Sequence, residues 1–403
     1  MIVMGGLDKI DLSLPSTVPS NIQANKMDYS TKTKGELISL CKTKKLKGYS
    51  DKKKEDLVNL LSSYEPQNET IAPPPPPPPA PAPVAEMSDK LTMIDLFAGT
   101  GAFTWAFQET NDVNVVFGND MVVQSKKIYD ENFNHTLTLK DLNELKVDDI
   151  PPHDILTGGF PCQPFSIAGL KEGFKDERSN VFWKILDIID HHQPKCVILE
   201  NVKNLLSHDN KRTFGIIKTK LEERGYNVCH KVLNTAKITG IPQHRERIYI
   251  VCVKSKKVFD NFSLEFPDIE KRPITDFLET DIPSKYYYTD KSSTWNLVKE
   301  SVVKKNTVYQ YRRVYVRENK SGECPTLTAN MGTGGHNVPL ILDDTGIRKL
   351  TPRECFNLQG FPSSYKLPAL ADSNIYKLAG NAVSVPVVKL IADRITPLLL
   401  HSE

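Results

Sequence analysis

From Leu91 to Lys254, short apolar runs alternate with amphipathic stretches. The runs are LTMIDLF, VNVVFGN, DILTGGF, KCVILEN and RIYIVCV, and segments such as NVFWKILDIIDHH lie between them. Runs this short and rich in β-branched residues suit strands, whereas apolar positions three and four apart mark helices. The alternation predicts an α/β domain: a parallel sheet with helices on both faces. After Lys254 the pattern stops. Residues 255–344 are rich in Lys, Tyr, Thr and Gly and predict short strands and turns at most. Helical periodicity returns from Thr351 to the C-terminus. The chain therefore divides into an α/β domain at 91–254, completed by 345–403, and a smaller irregular domain at 255–344.

Upstream the pattern changes. Residues 1–30 are polar, broken by Pro and Ser, and are expected to be disordered. Apolar residues then fall twice at helical spacing, first Leu37, Ile38, Leu40 and Cys41, then Leu57, Val58, Leu60 and Leu61. Gly48-Tyr49-Ser50 supplies the turn between, and lysines cover the outside. A unit of about thirty residues buries only a small core, so 31–63 reads as an accessory module. It resembles the SAP-type helix-extended-helix family, which binds DNA; a solvated lysine-rich helical hairpin, or a protein-binding module, has the same pattern. The run APPPPPPPAPAP locks φ and removes donors, so 64–90 reads as a stiff polyproline spacer or as a ligand for an SH3-like partner.

Composition narrows the function classes. A net charge of +3 over 403 residues is too mild to identify a nucleic-acid binder by itself. Seven scattered cysteines without a CxxC pair argue against a disulfide framework and against a metal site. The N-terminus lacks a basic-then-apolar signal pattern, and no apolar run approaches the roughly 20 residues that cross a bilayer. A monomeric intracellular protein kept in reducing conditions is expected.

Three segments carry candidate chemistry. DLFAGTGAFTWAF places Gly99 and Gly101 between a strand and a helix, where backbone can approach a ligand closely. Asp120 ends the next strand, where a carboxylate can accept from ribose hydroxyls, and Asp141 follows one crossover later, placed to accept from an adenine amino group. GGFPCQPFS seats Cys162 between Pro161 and Pro164, on a stiff loop at a strand's C-terminal end. A thiolate there needs only nearby cations to become a strong nucleophile. VILENV ends with Glu200-Asn201, and QHRERIYIV presents Gln243, Arg245 and Arg247, with alternation putting the two arginines on one face.

DLFAGTGAF, GGFPCQPFS, ENV, QHRERIYIV, RECFNLQGFP and LAGNAVSVPVV, in this order from Leu91 to the end, resemble the ordered motifs of the cytosine-5 DNA methyltransferase family. The resemblance implies a class I S-adenosylmethionine-dependent methyltransferase fold, Rossmann-like, with 255–344 as a target-recognition domain and double-stranded DNA as partner. It implies that Cys162 attacks C6 of a flipped-out cytosine, so that C5 accepts a methyl group from S-adenosyl-L-methionine. Glu200 would hold the N3 and N4 edge. Arg245 would orient the base and stabilise the adduct, with Arg247 and Gln243 in support.

For the cofactor the resemblance implies Phe97, Ala98, Gly99, Thr100, Gly101, Ala102 and Phe103 around the methionine and adenine moieties. Asp120 would take the ribose, Met121 the adenine face, and Asp141 with Leu142 the adenine amino end. Gly159, Pro161 and Val181 would line the pocket, and Asn381, Ala382 and Ser384 would fold back to it. Asp120 stands where a glutamate is common and Met121 where a large aromatic often lies, departures that bear on cofactor affinity. SIAGLKEGFKDERSN would be a closing loop, with Ser166 and Arg178 touching DNA. In the recognition domain the DNA contacts would be Thr326, Leu327, Gly332, Gly334 and Gly335.

YQYRRVYVR alternates aromatics with cations, which suits phosphates and guanine edges but equally an edge strand protected by charge. The rival within this chemistry is a tRNA cytosine-5 methyltransferase on the same chassis. That branch carries a Cys-Phe-Thr tripeptide, and here the chain reads GFPCQPFS and RECFNLQGFP instead.

Overall fold

The computed structural model describes residues 29–44, 46–63, 90–161, 181–312, 314–333 and 338–401. The chain divides into two compact units, Met1–Glu86 and Met87–Glu403. The expected spacer falls almost wholly outside the described residues.

The first unit is a helix pair, α1 (Lys34–Thr43) and α2 (Lys54–Ser62). The Thr33 hydroxyl caps α1 by accepting from the Glu36 N–H at 3.4 Å, and Glu36 returns a bond to the Thr33 N–H at 2.7 Å. This reciprocal box satisfies donors that a helix start leaves open. Leu37 and Cys41 on α1 meet Leu57 and Leu61 on α2. The i, i+4 spacing puts each pair on one face, so four side chains make the whole core.

In the second unit β1 (Leu91–Leu96), α3 (Ala102–Gln108), β2 (Val113–Asp120), α4 (Val123–Asp130), β3 (Thr138–Leu139) and β4 (Ile155–Gly159) open the α/β sequence. It continues through α5 (Val181–His192), β5 (Cys196–Val202), α6 (Arg212–Glu222), β6 (Asn227–Asn234), α7 (Thr235–Thr239), β7 (Gln243–His244) and β8 (Glu246–Val253). Seven strands form one sheet in the order β3-β2-β1-β4-β5-β8-β6. Alternation divides their side chains between two cores. Met93, Ile198 and Val251 join one, and Ile94, Val197 and Ile250 join the other.

One expectation needs correcting. The sheet is mixed: β8 runs antiparallel to both β5 and β6. The link between β6 and β8, residues 235–245, holds only the short α7 and β7. It cannot carry the chain back along the sheet as a parallel crossover requires. Strand β6 itself escaped the sequence reading because its edge position leaves NVCHKVLN half polar.

Beyond β8 come α8 (Lys256–Asn261), α9 (Trp295–Ser301), β9 (Tyr309–Arg312), β10 (Tyr315–Glu318), β11 (Cys324–Pro325), β12 (Leu340–Leu342) and β13 (Ile347–Lys349). A four-stranded sheet, β10-β9-β12-β13, organises this region, and β11 pairs with β7. The expected boundary at 344/345 falls inside the β12–β13 turn, so the smaller sheet runs on to Lys349. The chain then forms α10 (Pro352–Leu358), α11 (Asp372–Asn381) and α12 (Val385–Leu400). Val388, Ile391 and Ile395 of α12 are fully buried in the same core as Phe103 and Phe107 of α3. Such side chains contribute about 1.5–3 kcal/mol each on burial, enough to override the modest helix propensity of a Val- and Ile-rich segment.

A buried ion pair ties the smaller sheet to α10. Arg348 is 1% exposed and donates to both Glu354 carboxylate oxygens at 2.8 Å, while its Nε donates to Asp343 at 2.6 Å. Glu354 also accepts from the backbone N–H of Thr351 and Glu279. Removing one partner of such a pair strands a buried charge. Glu354→Ala is expected to lower unfolding free energy by about 3–5 kcal/mol, read by chemical denaturation.

Candidate functional site

The β1–α3 turn places three left-handed residues within five positions: Phe97 at φ 55°, Gly99 at 55° and Gly101 at 70°. For Phe97 this costs of order 1–3 kcal/mol and needs support from its surroundings. At Gly101 a Cβ would come within 2.2 Å of the Phe133 ring, so only glycine fits. Asp120, at the end of β2, supplies the support. One carboxylate oxygen accepts the Gly99 N–H at 2.9 Å and the other the Val122 N–H at 2.8 Å. Burial pushes the Asp120 carboxyl above its ordinary range, and these donors pull it back. From below, the Tyr365 hydroxyl donates to the Thr100 carbonyl at 2.6 Å.

Asp95, on β1, went unremarked in the sequence although an acid inside LTMIDLF is itself a signal. It is fully buried and accepts from the Thr104 N–H and hydroxyl and from the Thr157 hydroxyl. Burial raises its carboxyl to about 7. Its role is to lock α3 and β4 against β1 under the glycine turn.

The opposite wall comes from β5 and β8. Glu200 is 8% exposed, and its Oε1 lies 3.1 Å from Arg247 Nε. That is an ion pair outside hydrogen-bond angles, so the buried Oε1 has no hydrogen-bond donor among the described residues. Burial pushes the Glu200 carboxyl up, opposed by Arg247 and then Arg245. Asn201 donates from Nδ2 to the Phe160 carbonyl at 2.9 Å, fastening the chain just ahead of Pro161.

Arg245 is held differently. It is 2% exposed and donates to the carbonyls of Leu327 at 3.0 Å, Gly380 at 3.3 Å and Ala382 at 2.6 Å. Burial, then the like charge of Arg247, lowers its guanidinium to about 9. Gln243 donates to the Leu358 carbonyl at 2.7 Å and accepts the Leu327 N–H at 3.3 Å. Both residues connect β7 and β8 to segments far along the chain.

A single cavity of about 400 Å³ joins the two walls. Of the residues expected around the cofactor, Phe97, Ala98, Gly99, Thr100, Ala102, Phe103, Asp120 and Met121 line it from the first wall. Gly159, Pro161, Asn381 and Ala382 line it too, and so do Glu200, Arg245 and Arg247. Met121 is 65% exposed, at the rim.

Six expected site residues lie off the lining. Gly101 and Gln243 act through the contacts already described. Asp141 caps a short 3₁₀ turn by accepting from the Asn143 N–H at 2.9 Å. Leu142 is buried in the core, Val181 begins α5, and Ser384 is the buried N-cap position of α12. The sequence reading missed Asn374, Lys377 and Leu378, which line the cavity from α11. Their helical spacing ahead of Asn381 was the available signal.

Of the residues expected to meet DNA, Thr326 lines a separate groove. Leu327 requires a correction, since its side chain is 1% exposed and packed in the core. Gly332 faces Tyr376, where a Cβ would come within 2.7 Å of the ring. Cys162, Ser166, Arg178, Gly334 and Gly335 lie outside the described residues. The six described cysteines are buried or half-buried, and desolvation pushes each thiol up, so none is poised as a nucleophile.

Residues 91–397 match the family model for C-5 cytosine-specific DNA methylase. Type II methyltransferase M.Bsp6I of Bacillus sp. (strain RFL6) is 46% identical over 309 residues, covering 76% of this chain and 98% of the relative. Type II methyltransferase M.HhaI of Haemophilus parahaemolyticus is 36% identical over 330 residues, covering 77% of this chain and 97% of the relative. In fold, the chain is similar to the S. pombe Dnmt2 methyltransferase, with TM-score 0.61 and 23% identity over 77% of this chain and 99% of that one. The chain belongs to the C-5 cytosine-specific DNA methylase family and is a DNA cytosine-5 methyltransferase.

Proposed function

We propose that the cavity brings S-adenosylmethionine next to a cytosine turned out of duplex DNA, and that Cys162 forms a transient bond to C6 of that cytosine. The observation that carries this reading is the shared cavity. It has the glycine turn and Asp120 on one wall and the Glu200–Arg247 pair on the other. Its volume lies within the roughly 300–1,000 Å³ of small-molecule sites. Two buried acceptors without partners on its lining, Thr100 Oγ1 and Glu200 Oε1, fit a site that binds polar ligands.

Phe97, Thr100, Asn381 and Asp120 would hold the cofactor, Asp120 through lone pairs that its two backbone bonds leave free. Bound there, S-adenosylmethionine supplies an electrophilic methyl group. Cys162 adds its thiolate sulfur to C6, making an S–C6 bond and leaving electron density on C5. Glu200, its carboxyl raised by burial, gives a proton to N3 and accepts from the N4 amino group. Arg247 flanks that edge and stabilises the adduct, while Arg245, committed to three carbonyls, holds the wall in place. This reverses the roles first expected for the two arginines. Once C5 is methylated, loss of its proton to solvent, cleavage of the S–C6 bond and return of the N3 proton to Glu200 restore the ring and free Cys162. The cytosine must leave the stack to be reached, at a cost of a few kcal/mol. The α1–α2 unit, with Lys34, Lys42, Lys47, Lys53 and Lys54 exposed, is read as a SAP-like accessory contact to DNA.

A duplex carrying 5-fluorocytosine at the target site tests the adduct directly. Wild-type protein with methyl donor should give a covalent complex stable to denaturing electrophoresis, and Cys162→Ala should give none. Methyl label entering tRNA but not duplex DNA would overturn the reading. Arg247→Ala is expected to lower kcat about 100-fold or more with little change in Tm. Arg245→Ala should instead lower unfolding free energy by about 3 kcal/mol, because it strands buried carbonyls.

The raised Glu200 carboxyl keeps its proton above the usual carboxylate range, so kcat should fall as pH rises through its value. Glu200→Gln should lower kcat by about 10²–10⁴-fold and flatten that fall. The folded value exceeds the unfolded one, so this group's contribution to stability is full below the unfolded value. That contribution disappears as pH rises through the folded value. The variant should therefore melt no lower than wild type at alkaline pH.

A further inference from the structure

The β9–β10 hairpin divides its side chains by face. Tyr309 and Tyr311 of β9 and Val316 of β10 belong to the core of the smaller sheet. Gln310, Arg312 and Arg317 point the other way and line a groove of about 660 Å³ with Asn319, Thr326 and Asn330. Arg317 lies directly across from Gln310 in the strand pairing, so the two side chains stand side by side.

Nearby cations are consumed by acids: Lys304 pairs with Glu318, Lys271 with Glu323, and Arg348 with Asp343 and Glu354. Arg312 and Arg317 are exposed and have no ion-pair partner among the described residues. A charged edge strand would explain two unpaired arginines. It would not explain Gln310, which is 7% exposed with a buried Oε1 that no described donor reaches. A buried acceptor without a donor is unfavourable and marks a place where a ligand supplies one.

The groove also lies beside the catalytic cavity. His244 lines the groove, and its neighbour Arg245 lines the cavity. The groove and the cavity therefore meet at this backbone position.

We propose that this face of the hairpin reads the DNA target in the major groove. Arg317 and Gln310 together read one G·C pair, and Arg312 reads a second guanine. The major-groove edge of a G·C pair presents two acceptors, guanine N7 and O6, next to one donor, the cytosine N4 amino group. Arg317 supplies paired donors to the former. The unpartnered Gln310 Oε1 accepts from the latter. This inference deepens the proposed methylation of DNA and rests on it.

The test is methylation of a randomised duplex library by the full chain, followed by bisulfite sequencing. Wild-type protein should require guanine at fixed offsets from the methylated cytosine. Arg317→Ala and Gln310→Ala should relax the same position, and Arg312→Ala a different one. Each arginine variant should lose about 10- to 100-fold of its discrimination at that position, with melting temperature unchanged. Since Gln310 is buried, Gln310→Glu provides a second variant that keeps the acceptor and should retain the G·C preference. A uniform loss of rate at every sequence, with a salt slope lower by about 1, would mean phosphate contact and overturn the assignment. An unchanged site preference in Arg312→Ala and Arg317→Ala would overturn it as well. Wild-type protein that leaves the library unmethylated would instead sink the proposed function, and this inference with it.

Discussion

Arg245 is a buried cation whose partners are backbone carbonyls rather than an acid, and the site is assembled around that fact. Its three acceptors belong to Leu327, Gly380 and Ala382, in two segments far from it in sequence. A charge taken out of water must be met by hydrogen bonds, so the link between β7 and β8 that carries Arg245 cannot pack until both segments are in place. Gly380 shows how close they come. A Cβ there would lie 2.1 Å from the Thr328 carbonyl carbon, so α11 and the segment around Thr328 meet backbone to backbone. The wall of the cavity and the edge of the neighbouring groove are thereby built from the same contacts.

Strand alternation then sorts the chemistry. In the segment 243–247, Gln243 and Arg245 turn inward to partners in the core, and His244 turns outward to the groove. Arg247 lines the cavity beside Glu200. The hairpin at 309–318 repeats the device, with Tyr309, Tyr311 and Val316 inward and Gln310, Arg312 and Arg317 outward. Two neighbouring surfaces with different tasks arise from one period of two.

Burial raises both Asp95 and Glu200, with different outcomes. Asp95 receives three hydrogen bonds from threonines and lies off the cavity lining, so its shifted carboxyl serves packing. Glu200 lines the cavity, and its Oε1 receives no hydrogen bond from the described residues. A perturbed acid alone does not mark a functional site; an unmet hydrogen-bonding atom in a cavity separates the two cases.

Much of this was legible in the residues. Five apolar runs predicted strands because fully covered strands must be apolar on both faces, and six ordered motifs carried the chemistry. The glycine turn, Asp120 and Glu200 were recognisable because local backbone geometry and strand ends depend on nearby residues. The antiparallel direction of β8 depended on the length of its link to β6, and the half-polar edge strand β6 has no strong period. Three further features depended on contacts between elements: the different surroundings of Arg245 and Arg247, the burial of Leu327, and the shared face of Gln310 and Arg317. A sequence states which side chains alternate and which turns can form. Only the folded chain decides which carbonyl meets a buried cation, because that choice belongs to residues brought together in space.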